Sequence, residues 1–261
     1  MKVRIISYWL SLLFFSNFSI AESNTTEKIN SMNSEKTPEW IINKMNEWTN
    51  NIDPPMLIKS TFTTSGVNGT ADFYFLGDTF NTTWLTLINF ENPVKYGFAV
   101  FKNKDSKEEA YFPSLKQRVY RYDFSRNPTK VEKFMRKMPT EPCSYNEIAS
   151  FSDGLSVKKT ETGNYLLSIK VKENEAMVAL GTKSLIFNVL VTPEGKSLQS
   201  GIIANDGTTV IVNTYTYPNV EVDPQEIISK YVVPALDVPL MPNKSFNDAD
   251  TQAVNIAQQE R

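Results

Sequence analysis

The residues best placed to do chemistry lie between Glu108 and Phe151, in the stretch EEAYFPSLKQRVYRYDFSRNPTKVEKFMRKMPTEPCSYNEIASF. Arg118 and Arg121 stand there among Tyr111, Phe112, Tyr120, Tyr122 and Phe124. A guanidinium in such a run can pair across strands with Glu108, Glu109 or Asp123, or act as a polar latch that holds a covering helix. Further along, Arg126, Lys130, Lys133, Arg136 and Lys137 face only Glu132, making 126–137 the most basic local region. Such a run reads first as a solvated loop or short helix. Its functional alternative is a docking surface for an acidic partner or anionic lipid headgroups.

The sequence contains no histidine. That removes Ser-His-Asp and Cys-His triads, two-histidine zinc sites and histidine general-base catalysis together. No HExxH, P-loop or GxGxxG motif is present. A carboxylate pair or a Ser-Lys arrangement survives as enzyme chemistry, and both are too common among surface residues to be inferred from a sequence. The expectation is therefore a protein that is not an enzyme, with no cofactor and no metal. Cys143 is the single cysteine, so no disulfide can form within the chain. It reads as a small buried apolar residue, ahead of a free thiol or an intermolecular partner.

At the start of the chain, Lys2 and Arg4 precede the apolar core Ile5 to Phe15, and Ser19-Ile20-Ala21 offers small residues for cleavage. Residues 1–21 read as a secretory signal peptide and the expected location is the periplasm. A membrane anchor is the weaker alternative, because the apolar run falls short of the roughly 20 residues a span requires. Glu22 follows the cleavage position, so no lipid anchor is indicated there. Cleavage would take Lys2 and Arg4, so that 27 basic and 29 acidic side chains become 25 and 29, a net charge of −4. That balance argues against nucleic-acid binding.

The elements that position these residues are mostly strands. Residues 22–36 read as a flexible mature N-terminus. Thr37-Pro38-Glu39 then supplies a cap, a proline at the first helical position and an acidic first turn, predicting a helix from Trp40 to Asn50 with Ile41, Met45 and Trp48 on one face. From Met56 onward alternation dominates. Phe80, Trp84, Ile88 and Phe90 share one face of the longest strand and Leu85 and Leu87 the other, so both faces carry apolar weight. The next strand sets Val94, Tyr96, Phe98 and Val100 on one side. Gly77-Asp78 reads as a turn, and Gln117–Phe124 as a strand turned in by Pro113. Ser144–Phe151 reads as a short helix. Leu155–Thr160 pairs through Glu161-Thr-Gly-Asn164 with Tyr165–Lys172. Leu185, Phe187, Val189 and Val191 lead through Pro193-Glu-Gly195-Lys196 into two further strands, an antiparallel meander. Asp223-Pro224-Gln-Glu226 begins a helix to about Lys230. Pro234, Pro239 and Pro242 make the next segment irregular, and 243–261 reads as a polar tail, either poorly ordered or a frayed helix whose only weak stripe is Ala249, Ala253 and Ile256.

The order Tyr111-Phe-Pro-Ser-Leu115, then Arg118 and Arg121, then Phe134-Met135, then Ser144-Tyr145-Asn146-Glu147 resembles the outer-membrane lipoprotein-sorting proteins of the LolA/LolB-like superfamily. The resemblance implies an α+β fold over 37–242, a single curved antiparallel sheet forming an incomplete β-barrel, with helices covering a concave hydrophobic cavity. It implies non-covalent carriage of lipoprotein acyl chains or another lipid across the periplasm, between an inner-membrane transporter and an outer-membrane acceptor, by a monomer. On that footing Trp84, Phe98, Tyr120 and Phe187 are the candidate lipid-binding residues, with Arg118 or Arg121 as the latch. The candidates from other classes are an envelope scaffold or adhesin built as a closed β-sandwich, and a secreted carboxylate-based hydrolase.

Overall fold

Side chains that alternate apolar and polar at every second residue make strands of most of this chain. The computed structural model describes residues 36–64, 67–79, 82–92, 94–102, 108–121, 152–171, 184–204 and 209–260. The expected signal segment, Phe80, the basic segment 126–137, Cys143 and the expected helix Ser144–Phe151 lie outside the described residues. The strands are β1 (Met56–Thr64), β2 (Val67–Thr79), β3 (Thr82–Asn92), β4 (Tyr96–Lys102), β5 (Glu108–Phe112), β6 (Gln117–Tyr120), β7 (Ser152–Lys159), β8 (Tyr165–Val171), β9 (Leu185–Val191), β10 (Ser197–Ala204) and β11 (Thr209–Thr216). Their order is β6-β5-β4-β3-β2-β1-β11-β10-β9-β8-β7, an open antiparallel sheet with β6 and β7 at its edges. Helices α1 (Pro38–Asn50), α2 (Pro224–Ile227), α3 (Val233–Leu236) and α4 (Phe246–Gln259) complete an α+β fold. The chain divides into two compact units. One draws on Met1–Ile52, Phe62–Ser65 and Thr129–Tyr215, the other on Asp53–Thr61, Gly66–Pro128 and Thr216–Arg261.

In the first unit, Thr37 caps α1 by accepting from the Trp40 backbone N–H at 3.2 Å, with Pro38 and Glu39 in the first turn. The helix buries Ile41, Ile42 and Met45, and Trp40 meets the Tyr165 ring edge-on, centroids 5.7 Å apart. The two hairpins close at the expected turns: Thr160 donates to Asn164 at 2.8 Å and Thr192 to Lys196 at 2.9 Å, backbone to backbone. In the second turn Gly195 adopts φ +99, and a Cβ there would overlap the carbonyl oxygen of Lys44. The turn and α1 therefore touch at the one position without a side chain. Tyr165, Leu167, Ile169, Val171, Leu185, Phe187, Val189 and Val191 are all buried along the apolar face of this meander.

In the second unit, β3 pairs with β2 and β4 so that Trp84, Thr86, Ile88 and Phe90 share a face with Phe98 and Val100, while Leu85 and Leu87 share the other with Ala99 and Phe101. Apolar weight on both faces is matched by cover on both. The Gly77-Asp78 turn is corrected: β2 runs on to Thr79, which pairs with Thr82. Gly77 takes φ +66 within a register shift between Phe75 and Thr79, so the chain bulges there instead of reversing. The expected helix from Asp223 also continues past Lys230. Asp223 caps α2 by accepting from the Gln225 N–H at 2.8 Å, a π-helical turn spans Ile228–Val232, and α3 carries the path to Leu236. Pro234 has no N–H and its ring would strike the preceding turn of a regular helix; the wider π turn accommodates it.

The tail 243–261 is likewise a docked helix rather than a frayed one. Ser245 accepts from the Asp248 N–H at 3.1 Å, and α4 buries Phe246, Ala249, Asp250 and Ala253, one stripe at helical spacing. The edge strand β6 is shorter than expected, Gln117–Tyr120. Arg118 donates its N–H to the Pro239 carbonyl at 3.4 Å and its carbonyl accepts from Met241 at 2.9 Å, so 239–241 runs parallel beside the edge.

Candidate functional site

The second unit holds the candidate site, a sheet of β2 to β6 with two differently built faces. On the Phe101 face, Leu57, Leu76, Leu85, Ala99 and Phe101 pack against Val222, Ile228, Val232 and Ala235, with Tyr74, Leu87, Tyr111, Ile227 and Tyr231 around them. Burial, with smaller contributions from Asp72, Tyr231 and Glu226, pushes the Tyr74 hydroxyl up to about 12. This is a closed core, mostly aliphatic at its centre with Phe101 and rimmed by three tyrosines.

The Phe98 face is aromatic at one end. Phe98 lies 5.0 Å from Phe112 and 5.3 Å from Phe246, centroid to centroid, and Phe90 stacks on Tyr96 at 4.8 Å. Helix α4 covers this end with a seam of Phe246, Ala249, Asp250 and Ala253. The Tyr96 hydroxyl donates to Asp250 Oδ1 at 2.8 Å, and burial pushes the Asp250 carboxyl up to about 6 although that hydrogen bond opposes the shift.

Toward its other end the same face turns polar. Lys102 stands over the Trp84 ring at 5.9 Å and pairs across strands with Glu108, which forms an ion pair with Arg121 at 3.3 Å. Burial pushes the Lys102 ammonium below its ordinary value, with Glu108 acting against that. Arg121 is 1% exposed and the Glu108 side chain 9%. On the opposite face Arg118 pairs with Glu109 at 3.1 Å. The hairpin β5–β6 therefore carries one enclosed ion pair on each face, the cross-strand pairing named as the alternative to a latch.

Trp84 and Phe98 share the Phe98 face, and Arg121 joins them at its polar end. Arg118 and the half-buried Tyr120 point to the Phe101 face, following Glu109 and Tyr111 in register. Phe187 is buried in the first unit between its cross-strand neighbours Ile169 and Ile202. Sequence reasoning missed Phe246 and Asp250. The signal that could have found them is Ser245-Phe-Asn-Asp248, a hydroxyl cap followed three residues later by an acid. Among the described residues no cluster of three or more acidic, cysteine or histidine side chains could hold a metal, and no helix is long and apolar enough to cross a membrane.

No family model and no curated protein matches this sequence. Among solved structures, the chain is similar to one described as an outer membrane lipoprotein-sorting protein domain from Vibrio parahaemolyticus, at 9% identity and a TM-score of 0.33, over 76% of this chain and 99% of that one. At that identity and TM-score the likeness bears on neither chemistry nor ligand.

Proposed function

We propose that this protein is a periplasmic carrier that holds an acyl chain of a lipid or lipoprotein non-covalently on the Phe98 face and moves it toward the outer membrane. The observation that carries the reading is the contrast between floor and cover there. The floor is aromatic, Phe90, Phe98 and Phe112, whereas the cover, α4, presents one phenylalanine, two alanines and a buried carboxyl. Burying one phenylalanine and two methyl groups is worth about 4 kcal/mol before the cost of ordering the helix, whereas a 16-carbon chain brings ~0.8 kcal/mol per buried methylene, about 12 kcal/mol in all. An acyl chain can therefore displace the cover, and its departure lets the cover return. No bond needs to be made or broken for either step.

The sequence resemblance to lipoprotein-sorting proteins supports the same reading and suggests an inner-membrane transporter as donor and an outer-membrane acceptor. Trp84 and Phe98 are proposed to line the acyl site and Arg118 and Arg121 to fasten the β5–β6 hairpin; Tyr120, on the Phe101 face, and Phe187, in the first unit, are left out of that site. The test is native mass spectrometry of protein purified from the periplasm without detergent, followed by organic extraction. A co-purifying acylated species, lost in a folded variant with Phe98 replaced by Glu, is the expected result. A bare mass, with no uptake of added fatty acid or lipopeptide, overturns the carrier and favours a scaffold.

A further inference from the structure

Trp84 and Thr86 stand two residues apart on the Phe98 face of β3, 5% and 0% exposed, and among the described residues neither the Trp84 Nε1–H nor the Thr86 Oγ1 has a hydrogen-bond partner. Their neighbours bring no acceptor to the row: Phe75 lies opposite Trp84, Phe73 and Val100 flank Thr86, and the Lys102 ammonium over the indole can only donate. A buried donor without a partner is costly, and two in one row of an apolar face require an acceptor that the described residues do not provide. An indole N–H can only donate, so whatever satisfies it must be an oxygen or nitrogen with a lone pair. The hydrocarbon part of a ligand cannot do this, and an ammonium headgroup cannot either. Lys102 over the indole ring adds positive potential at the same place, but Glu108 already stands opposite Lys102. A second full negative charge would meet that carboxylate, whereas a neutral carbonyl with two lone pairs would not.

We propose that Trp84 and Thr86 form a subsite for the carbonyl oxygen of an acyl ester or amide, whose hydrocarbon chain runs along the face toward Phe98. This rests on the carrier reading and adds to it what fixes the ligand's depth. The chain supplies affinity through burial, and the two donors set where the acyl group ends. A ligand without a carbonyl would leave both donors unpaired.

The experiment compares methyl dodecanoate with dodecane, each displacing a fluorescent naphthylamine from the wild type and from T86V, which keeps the side chain's shape while removing its hydroxyl. The expected result is an affinity for the ester about fivefold lower in the variant, the size of one lost hydrogen bond, with that for dodecane unchanged. Equal shifts for both probes, or none for either, overturn the subsite while leaving the carrier standing, since ordered water or packing would then account for the pair. A wild type that takes up neither probe overturns both readings. If T86V fails to fold, infrared spectra of ¹³C-carbonyl ester bound to the wild type decide. A carbonyl stretch lowered relative to the ester in hydrocarbon supports the subsite, and an unshifted frequency overturns it.

Discussion

The Tyr96 hydroxyl donates to Asp250 Oδ1 at 2.8 Å, tying α4 to β4 through the single buried carboxyl of the seam. Because burial raises that carboxyl from 3.8 to about 6, the docked helix favours its protonated form. The contribution to stability is fully present below pH 3.8 and is lost as pH rises through 6, a swing of roughly 3 kcal/mol for a shift of about two pH units. The variant D250N keeps the shape and cannot ionise. Thermal unfolding of both proteins from pH 4 to pH 8 is expected to show the variant gaining on the wild type as pH rises, most steeply between pH 4 and 6. Parallel curves would mean that water reaches the carboxyl.

Arg121 and Glu108 form the more deeply enclosed of the two ion pairs on the β5–β6 hairpin. Breaking such a pair from one side costs about 3 to 5 kcal/mol, whereas replacing both partners with apolar groups of similar volume is often nearly neutral. E108Q is therefore expected to lower stability in urea unfolding by about 3 kcal/mol, and E108L/R121M to recover most of the loss. A change below about 1 kcal/mol for E108Q would place the pair among ordinary solvated ones.

Gly195 combines φ +99 with close approach to the Lys44 carbonyl. An L side chain at such a φ costs about 1 to 2 kcal/mol by itself, and the overlap adds to it. G195A is expected to lower unfolding stability by at least about 2 kcal/mol and to speed amide exchange in α1, because the helix backbone is the obstacle. Unchanged protection of α1 would show that the turn yields instead.

Much of the fold was legible because local rules agreed with one another. Thr37-Pro38-Glu39 announced α1, and the alternation at Tyr165–Val171 and Leu185–Val191 announced strands whose turns carry glycine where expected. The readings that failed are those in which a local signal met a tertiary demand. Gly77-Asp78 looks like a turn and is a bulge, and Pro234 looks like a stop and is absorbed by a π turn. Helix α4 was hidden by its composition: two alanines and an aspartate make a weak stripe until Phe98 and Phe112 are seen beneath Phe246. The site was harder still. Alternation put Trp84 and Phe98 on their own strands' apolar faces, but only the β3–β4 register puts them on a common one, and only the three-dimensional arrangement leaves Trp84 Nε1 and Thr86 Oγ1 without partners among the described residues.

The edge of β6 is covered by 239–241, more than a hundred residues further along the chain. A ribosome delivers the sheet's first strands long before it delivers the segment that shields their margin. Until then no described strand other than β5 lies beside β6, and its outer N–H and C=O groups form the kind of margin on which other chains add strands. The nascent protein is thus most exposed to misassembly late in synthesis, and a chain released before Leu240 would keep that hazard permanently.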